Sequence, residues 1–174
     1  MSKINFFPPN KVGKLQQEDL SLILQWRNND FVRKFMFNSN VISLQDHESW
    51  FERVKDNDNK HLLMFESDNI KRGFAQFSVD QGGIAEWGFY VDPSSQRGVG
   101  GQMCKAVMQY AFNELGLYKI SARVIEFNHR SLYLHNKLCF QQEGILRDHY
   151  YDGEKYHNVM CFGLIKNDWL NEGN

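Results

Sequence analysis

Apolar positions recur at two periods along this chain, and the change of period marks its elements. LQQEDLSLILQWRNND repeats at three and four residues, placing Leu20, Ile23, Leu24 and Arg27 on one helical stripe. SLQDHESWFERVKD does the same with Leu44, His47, Phe51 and Val54, and its opening Ser–x–x–Asp is close to a capping box. Three strand-like runs follow, HLLMFES, RGFAQFSVD and IAEWGFYV, with DNIKRG and DQGG supplying turns. A helical pattern then runs from about Gly100 to Leu115 and closes on Gly116. YKISARVIEF reads as a strand, and NHRSLYLHNKLCF as a short helix bounded by Asn128. FQQEGILRDHYYD and KYHNVMCFGLI form a closing hairpin around Asp152-Gly153. The order αα, βββ, α, β, α, ββ predicts an α/β fold with a mixed sheet and helices on both faces. No repeat, low-complexity tract or linker interrupts it, so residues 1–174 are expected to form a single domain.

Composition narrows the function classes. A chain of 174 residues, 42% hydrophobic and 14% aromatic, can bury a core of its own. A net charge of −1 argues against nucleic acid as a partner. No apolar run approaches the ~20 residues of a membrane helix, and MSKINFFPPNKVGK lacks a signal-peptide core. Neither a membrane partner nor export is therefore expected. Cys104, Cys139 and Cys161 are few, odd in number and far apart, which fits a reducing cytoplasm. The histidines show no metal-binding spacing, so no metal is expected.

One stretch asks for a ligand. SSQRGVGGQMCKAV sets three glycines and an arginine between a strand and a helix. Such a loop aims free N–H groups and the positive end of a helix at one point, where phosphate is the natural occupant. The Walker pattern is absent, and a dinucleotide GxGxxG starting at Gly98 fails at Met103. A glycine-rich turn without a ligand is the alternative.

The RGVG segment resembles the pyrophosphate loop of the GNAT acetyltransferases, Gln/Arg-x-x-Gly-x-Gly/Ala. Arg97 and Gly100 match its first two fixed positions, while Gln102 stands where Gly or Ala is usual, just after Gly101. NHRSLYLHNKLCF is similar to that family's Asn-x-x-Ala/Ser-x-x-x-Tyr-x-Lys-x-Gly-Phe. Asn128, Ser131, Lys137 and Phe140 match; His135 replaces the usual Tyr and Cys139 the usual Gly. AEWGFYVDP resembles the strand before the loop in the subgroup that acetylates ribosomal-protein N-termini and nucleotide-linked amino sugars. The resemblance covers nearly the whole chain and implies the GNAT acyl-CoA N-acyltransferase fold, with acetyl-coenzyme A as co-substrate.

It also implies a cofactor site. Arg97, Gly98, Val99, Gly100, Gly101 and Gln102 would hold the pyrophosphate. Phe89, Tyr90 and Val91 would offer backbone groups to the pantetheine as an added strand does. Asn128, with Ser131 and Lys137, would line the same arm, Asn128 also serving as a helix cap. The implied reaction is direct transfer in a ternary complex: the amine attacks, a strand N–H holds the oxyanion, and the thiolate is protonated as it leaves. An amine that is mostly protonated at neutral pH calls for a base. Glu86 is the candidate, or else an exposed strand carboxylate. His135, in the place of the usual tyrosine, is the candidate acid. Tyr133 lies about 200° round the helix from it and should face elsewhere. Cys104 and Cys139 sit poorly for an acetyl-enzyme.

The acceptor is the remaining question. The stretch from Trp26 to Val54 resembles the pseudaminic-acid N-acetyltransferases, which act on the 4-amino group of a UDP-linked amino-dideoxy sugar. The shared features are Arg27-Asn28, Met36-Phe37, Ile42-Ser43-Leu44, His47 and Trp50. Met36, Phe37 and Trp50 could flank a uracil ring, or could be core. Arg27 and His47 could meet the ring edge or the diphosphate. Ser78 and Tyr90, on neighbouring strands, are candidates for touching the sugar. A ribosomal-protein N-terminal acetyltransferase is the second reading, although no acidic cluster suits a basic tail. A non-catalytic acyl-coenzyme A sensor is the third. Homodimerisation is left open.

Overall fold

The computed structural model describes residues 10–171. The leading residues of MSKINFFPPNKVGK lie outside that range. Seven strands form one mixed sheet in the order β1-β2-β3-β4-β5-β7-β6. They are β1 (Lys11–Lys14), β2 (Lys60–Ser67), β3 (Ile70–Val79), β4 (Ile84–Val91), β5 (Lys119–Ile125), β6 (Gln141–Tyr151) and β7 (Tyr156–Ile165). Helices α1 (Leu20–Asn28), α2 (Asp30–Arg33) and α3 (Leu44–Val54) precede β2. α4 (Val99–Asn113) joins β4 to β5, α5 (His129–Lys137) joins β5 to β6, and α6 (Lys166–Asn171) follows β7.

The expected α/β fold, a mixed sheet covered on both faces, is the one observed. β1, α2 and α6 are additions to the expected order. Each is six residues or fewer, too short to show a period. The β2–β3 turn falls on Asp68 and Asn69, whose φ of 56° and 60° suits a two-residue hairpin. Leu44 departs from its stripe: at the first turn of α3 it is 51% exposed.

α4 forms because its apolar residues repeat on one face. Met103, Cys104, Val107, Met108, Ala111 and Phe112 are all fully buried against the sheet. Gly116, at φ 65°, ends it, and Leu117 N–H returns to Ala111 O at 3.1 Å. On the opposite face α1 and α3 cover a smaller cluster that includes Ile23, Trp26, Phe51, Met64 and Phe74.

Candidate active site

The sheet opens at the parallel pair β4–β5. These strands pair at Ile84–Lys119, Ala85–Ile120 and Glu86–Ser121, and the pairing stops there. From Trp87 onward β4 bonds only to β3, leaving its other edge with unmatched backbone groups. Phe89, Tyr90 and Val91 lie along that edge. Trp87 to Val91 spans about 13 Å of strand and leads to the glycine loop.

The loop is held by local bonds. Asp92 Oδ1 accepts from the Ser94 N–H at 2.9 Å and the Ser94 hydroxyl at 2.7 Å. Gly98 caps α4 at φ 101°, a conformation that suits glycine. A Cβ on Gly98 or Gly101 would meet nothing within 4 Å, and one on Gly100 would meet only Val91 Cγ2 at 3.6 Å. The space above the first turn of this 15-residue helix is therefore open to a ligand. Arg97 and Gln102 are exposed beside it, and Val99 is half-buried.

α5 flanks the same opening. Asn128 caps it by accepting the Ser131 N–H at 3.2 Å, and Lys137 closes its last turn in solvent. Tyr133 is 68% exposed, turned away as its spacing requires. His135 is 2% exposed. Its ring is walled by Trp87 and Phe89 of β4, Phe140, and Phe162 of β7. Its Nδ1 lies 2.8 Å from Ser131 O and 3.3 Å from Ser131 Oγ. Its Nε2 is buried without a partner. Burial lowers the pKa of His135 against a small opposing effect of that carbonyl.

Glu86 points to the opposite face. Its Oε1 accepts from Arg123 Nε at 3.0 Å and Nη2 at 2.9 Å, and both side chains are about half exposed. The Arg123 guanidinium also lies 5.6 Å over the Phe37 ring.

On that face α1, α3, β3 and β4 enclose a cleft of about 510 Å³. Arg27 comes from α1, His47 and Trp50 from one face of α3, Phe74 and Gln76 from β3, and Tyr90 from β4. Ser43 caps α3 and aims it, accepting the Asp46 N–H at 3.1 Å. A loop bearing Asn38, Asn40, Val41 and Ile42 closes the cleft. Asn28 holds that loop twice, donating to Ile42 O at 2.8 Å and accepting Ile42 N–H at 2.9 Å.

The cleft's nitrogen atoms are under-used. Arg27 donates from Nη2 to Asn38 O at 2.5 Å, but its Nη1 is buried without a partner. His47, stacked on Trp50 at 5.2 Å, leaves its Nε2 buried and unpartnered. Burial lowers both pKa values, and Arg27 pushes His47 further down. Burial pushes the Tyr90 hydroxyl well above its usual value, against the pull of Arg27. Among the lining residues only Asp46 is acidic.

The structure thus brings Arg27, His47, Trp50 and Tyr90 together, and leaves Met36, Phe37 and Ser78 off the cleft wall. Phe37 instead packs edge-on against Tyr150 at 6.0 Å. Met36 shares its turn beyond α2, and Asn38, Asn40, Val41 and Ile42 line the cleft instead. Ser78 is on the cleft's face of β3 but one pleat further on, where it accepts from Lys60 at 2.7 Å. Sequence reasoning missed Asn38, Asn40, Phe74 and Gln76. The alternation of RGFAQFSVD does place Phe74 and Gln76 on one face with Ser78.

Residues 13–161 match the acetyltransferase (GNAT) domain family. The chain is 24% identical over 166 residues to spermidine N(1)-acetyltransferase of Escherichia coli, covering 93% of this chain and 89% of that one. It is 27% identical over 140 residues to acetyltransferase PseH of Campylobacter jejuni, covering 80% and 87%. Its fold is similar to that of spermidine N-acetyltransferase from Vibrio cholerae in complex with CoA and spermine. The TM-score there is 0.86 at 20% identity, over 93% of this chain and 98% of that one.

Proposed function

The chain belongs to the GNAT acetyltransferase family, and from that premise we propose that its acceptor is an anionic amine, a UDP-linked 4-amino sugar. The coarser activity follows from the family: this is an acetyl-coenzyme A-dependent N-acetyltransferase.

One observation carries the acceptor class: the buried guanidinium of Arg27, with a free Nη1, in a cleft where Asp46 is the one acidic lining residue among those described. A buried cation with an unmet donor stabilises phosphate or carboxylate oxygens and repels a polyamine. His47 stacked on Trp50 beside it gives a flat surface for a heterocycle. The 4-amino group would reach the acyl carbon through the gap between β4 and β5, past Tyr90. Asn128, Ser131 and the residues of the glycine loop would hold the coenzyme along the free edge of β4.

The name of the Escherichia coli relative supplies the competing acceptor, spermidine. Free-thiol release from acetyl-coenzyme A decides between them, run with UDP-4-amino sugars, spermidine and ribosomal-protein N-terminal peptides. Turnover on the nucleotide sugars alone is the expected result. Turnover on spermidine or on peptides, with none on the sugars, overturns this reading.

A further inference from the structure

We propose that His135 enters the reaction as its proton acceptor: Nε2 takes a proton from the attacking amine and returns it to the coenzyme A sulfur. The proposal rests on the N-acetyltransferase activity, and not on which amine is used.

The tautomer follows from geometry. A carbonyl oxygen only accepts, so the 2.8 Å contact with Ser131 O puts the ring hydrogen on Nδ1. In the neutral ring Nε2 then carries a lone pair. To donate from Nε2 at the outset, the ring would have to be imidazolium. Its surroundings oppose that. His135 is buried, its ring walled by Trp87, Phe89, Phe140 and Phe162, none of them ionisable, and burial disfavours the charged form. Glu86 of β4 and Arg123 of β5 face the other side of the sheet, bonded to each other. On its own helix His129, Arg130 and Lys137 are in solvent, and the Cys139 thiol follows just beyond.

The position is that of a reacting group. A buried ring nitrogen without a partner is rare enough to need an explanation. Trp87, which packs edge-on against the ring at 5.7 Å, has a buried N–H in the same condition. Trp87 is the first residue of β4 beyond the last pair with β5, at the far end of the free edge that starts by the glycine loop. A pantetheine arm laid along that edge from α4 delivers its thioester there.

The proton count closes. The amine nitrogen attacks the acyl carbon, and the carbonyl electrons move to oxygen. Nε2 takes one N–H proton, leaving an adduct with a neutral nitrogen and an oxyanion, beside an imidazolium. When the adduct collapses, the oxyanion electrons re-form the C=O bond, the C–S bond breaks and its electron pair goes to sulfur. The Nε2–H proton follows to sulfur, giving amide, thiol and the neutral ring again. Glu86, bonded by Arg123, is not called on as the base.

Two measurements test this. In the first, 15N-labelled protein is titrated by NMR without substrate. The Nδ1–H tautomer is expected for His135, with its pKa below the ordinary histidine value. An Nε2–H tautomer overturns the proposal, whichever acceptor is correct, and even if no amine turns over. In the second, kcat is followed against pH with the UDP-4-amino sugar, or with spermidine if that is the acceptor. A rise with pH through the His135 pKa is expected. His135→Phe should lose that limb and about 10²-fold or more in rate, while its melting temperature still rises with acetyl-coenzyme A. Glu86→Gln should retain the limb. Loss of the limb in Glu86→Gln, or its survival in His135→Phe, overturns the proposal.

Discussion

Beneath α4 the sheet carries one apolar cluster that runs from Leu63 through Met103, Val107 and Phe112 to Trp169. Beneath α1 and α3 it carries a smaller cluster around Ile23, Trp26 and Phe51, and beside it a cleft with two unpartnered nitrogens. One face is closed by packing, while the other keeps buried polar groups unmet. Unmet groups are costly, so the pair at Arg27 and His47 is a candidate for groups that a ligand satisfies. Trp87 and His135 carry two more orphans on the packed side, both beside the gap between β4 and β5.

Substitution on the two faces should sharpen this contrast. Phe112→Ala empties a fully buried site against Trp169 and should cost about 3–5 kcal/mol in denaturant unfolding. Arg27→Met removes one bond to Asn38 O and one unpaired buried charge. Those effects offset, so its stability should move far less than that of Phe112→Ala. The same variant should raise KM for the UDP-4-amino sugar about 10- to 100-fold with acetyl-coenzyme A saturating, the worth of a charged hydrogen bond. A large stability loss in Arg27→Met with unchanged KM would make the cleft ordinary core.

The helical stripe of α4 and the alternation of β2 to β4 were legible because a packed face repeats its apolar residues at a fixed period. The glycine loop was legible because strand, glycines and helix are consecutive. The cleft was legible only in part. Arg27, His47 and Trp50 lie on helices whose faces can be counted. Asn38 and Asn40 sit on an irregular loop that Asn28 fixes through backbone bonds, and no periodicity announces such a contact. Phe37 and Met36 were misplaced for the same reason, since the course of the loop decides which side they take. The tautomer of His135 depends on a carbonyl one helical turn away, which residue types alone do not reveal.

A pH titration of stability probes both faces together. His47, His61 and His135 all have lowered pKa values, chiefly through burial. The unfolded chain takes up protons near pH 6.5, where the folded chain still resists them. Stability should therefore be full above about pH 6.5 and fall as the pH drops toward the folded values. His47→Gln should flatten that fall between pH 7 and 5. Asp152, held well below the usual carboxylate range chiefly by its bond to His157, adds a loss only below about pH 4. A fall unaltered in His47→Gln would assign the dependence to His61 and His135.

The smallest effect concerns Cys139, which holds φ 64° where the family usually has glycine. Cys139→Ala keeps the left-handed strain and Cys139→Gly releases it. The Gly variant should be the more stable by about 1 kcal/mol, a few degrees in Tm. Equal melting temperatures would show that the turn carries no such strain.

Calorimetric titration of UDP into the wild type and into Arg27→Met, with spermidine as the parallel ligand, tests the cleft most directly. Binding of UDP that weakens about 10- to 100-fold in the variant is the result expected for a site built around a buried cation. Absence of UDP binding, together with spermidine binding that tightens when Arg27 is removed, would contradict it.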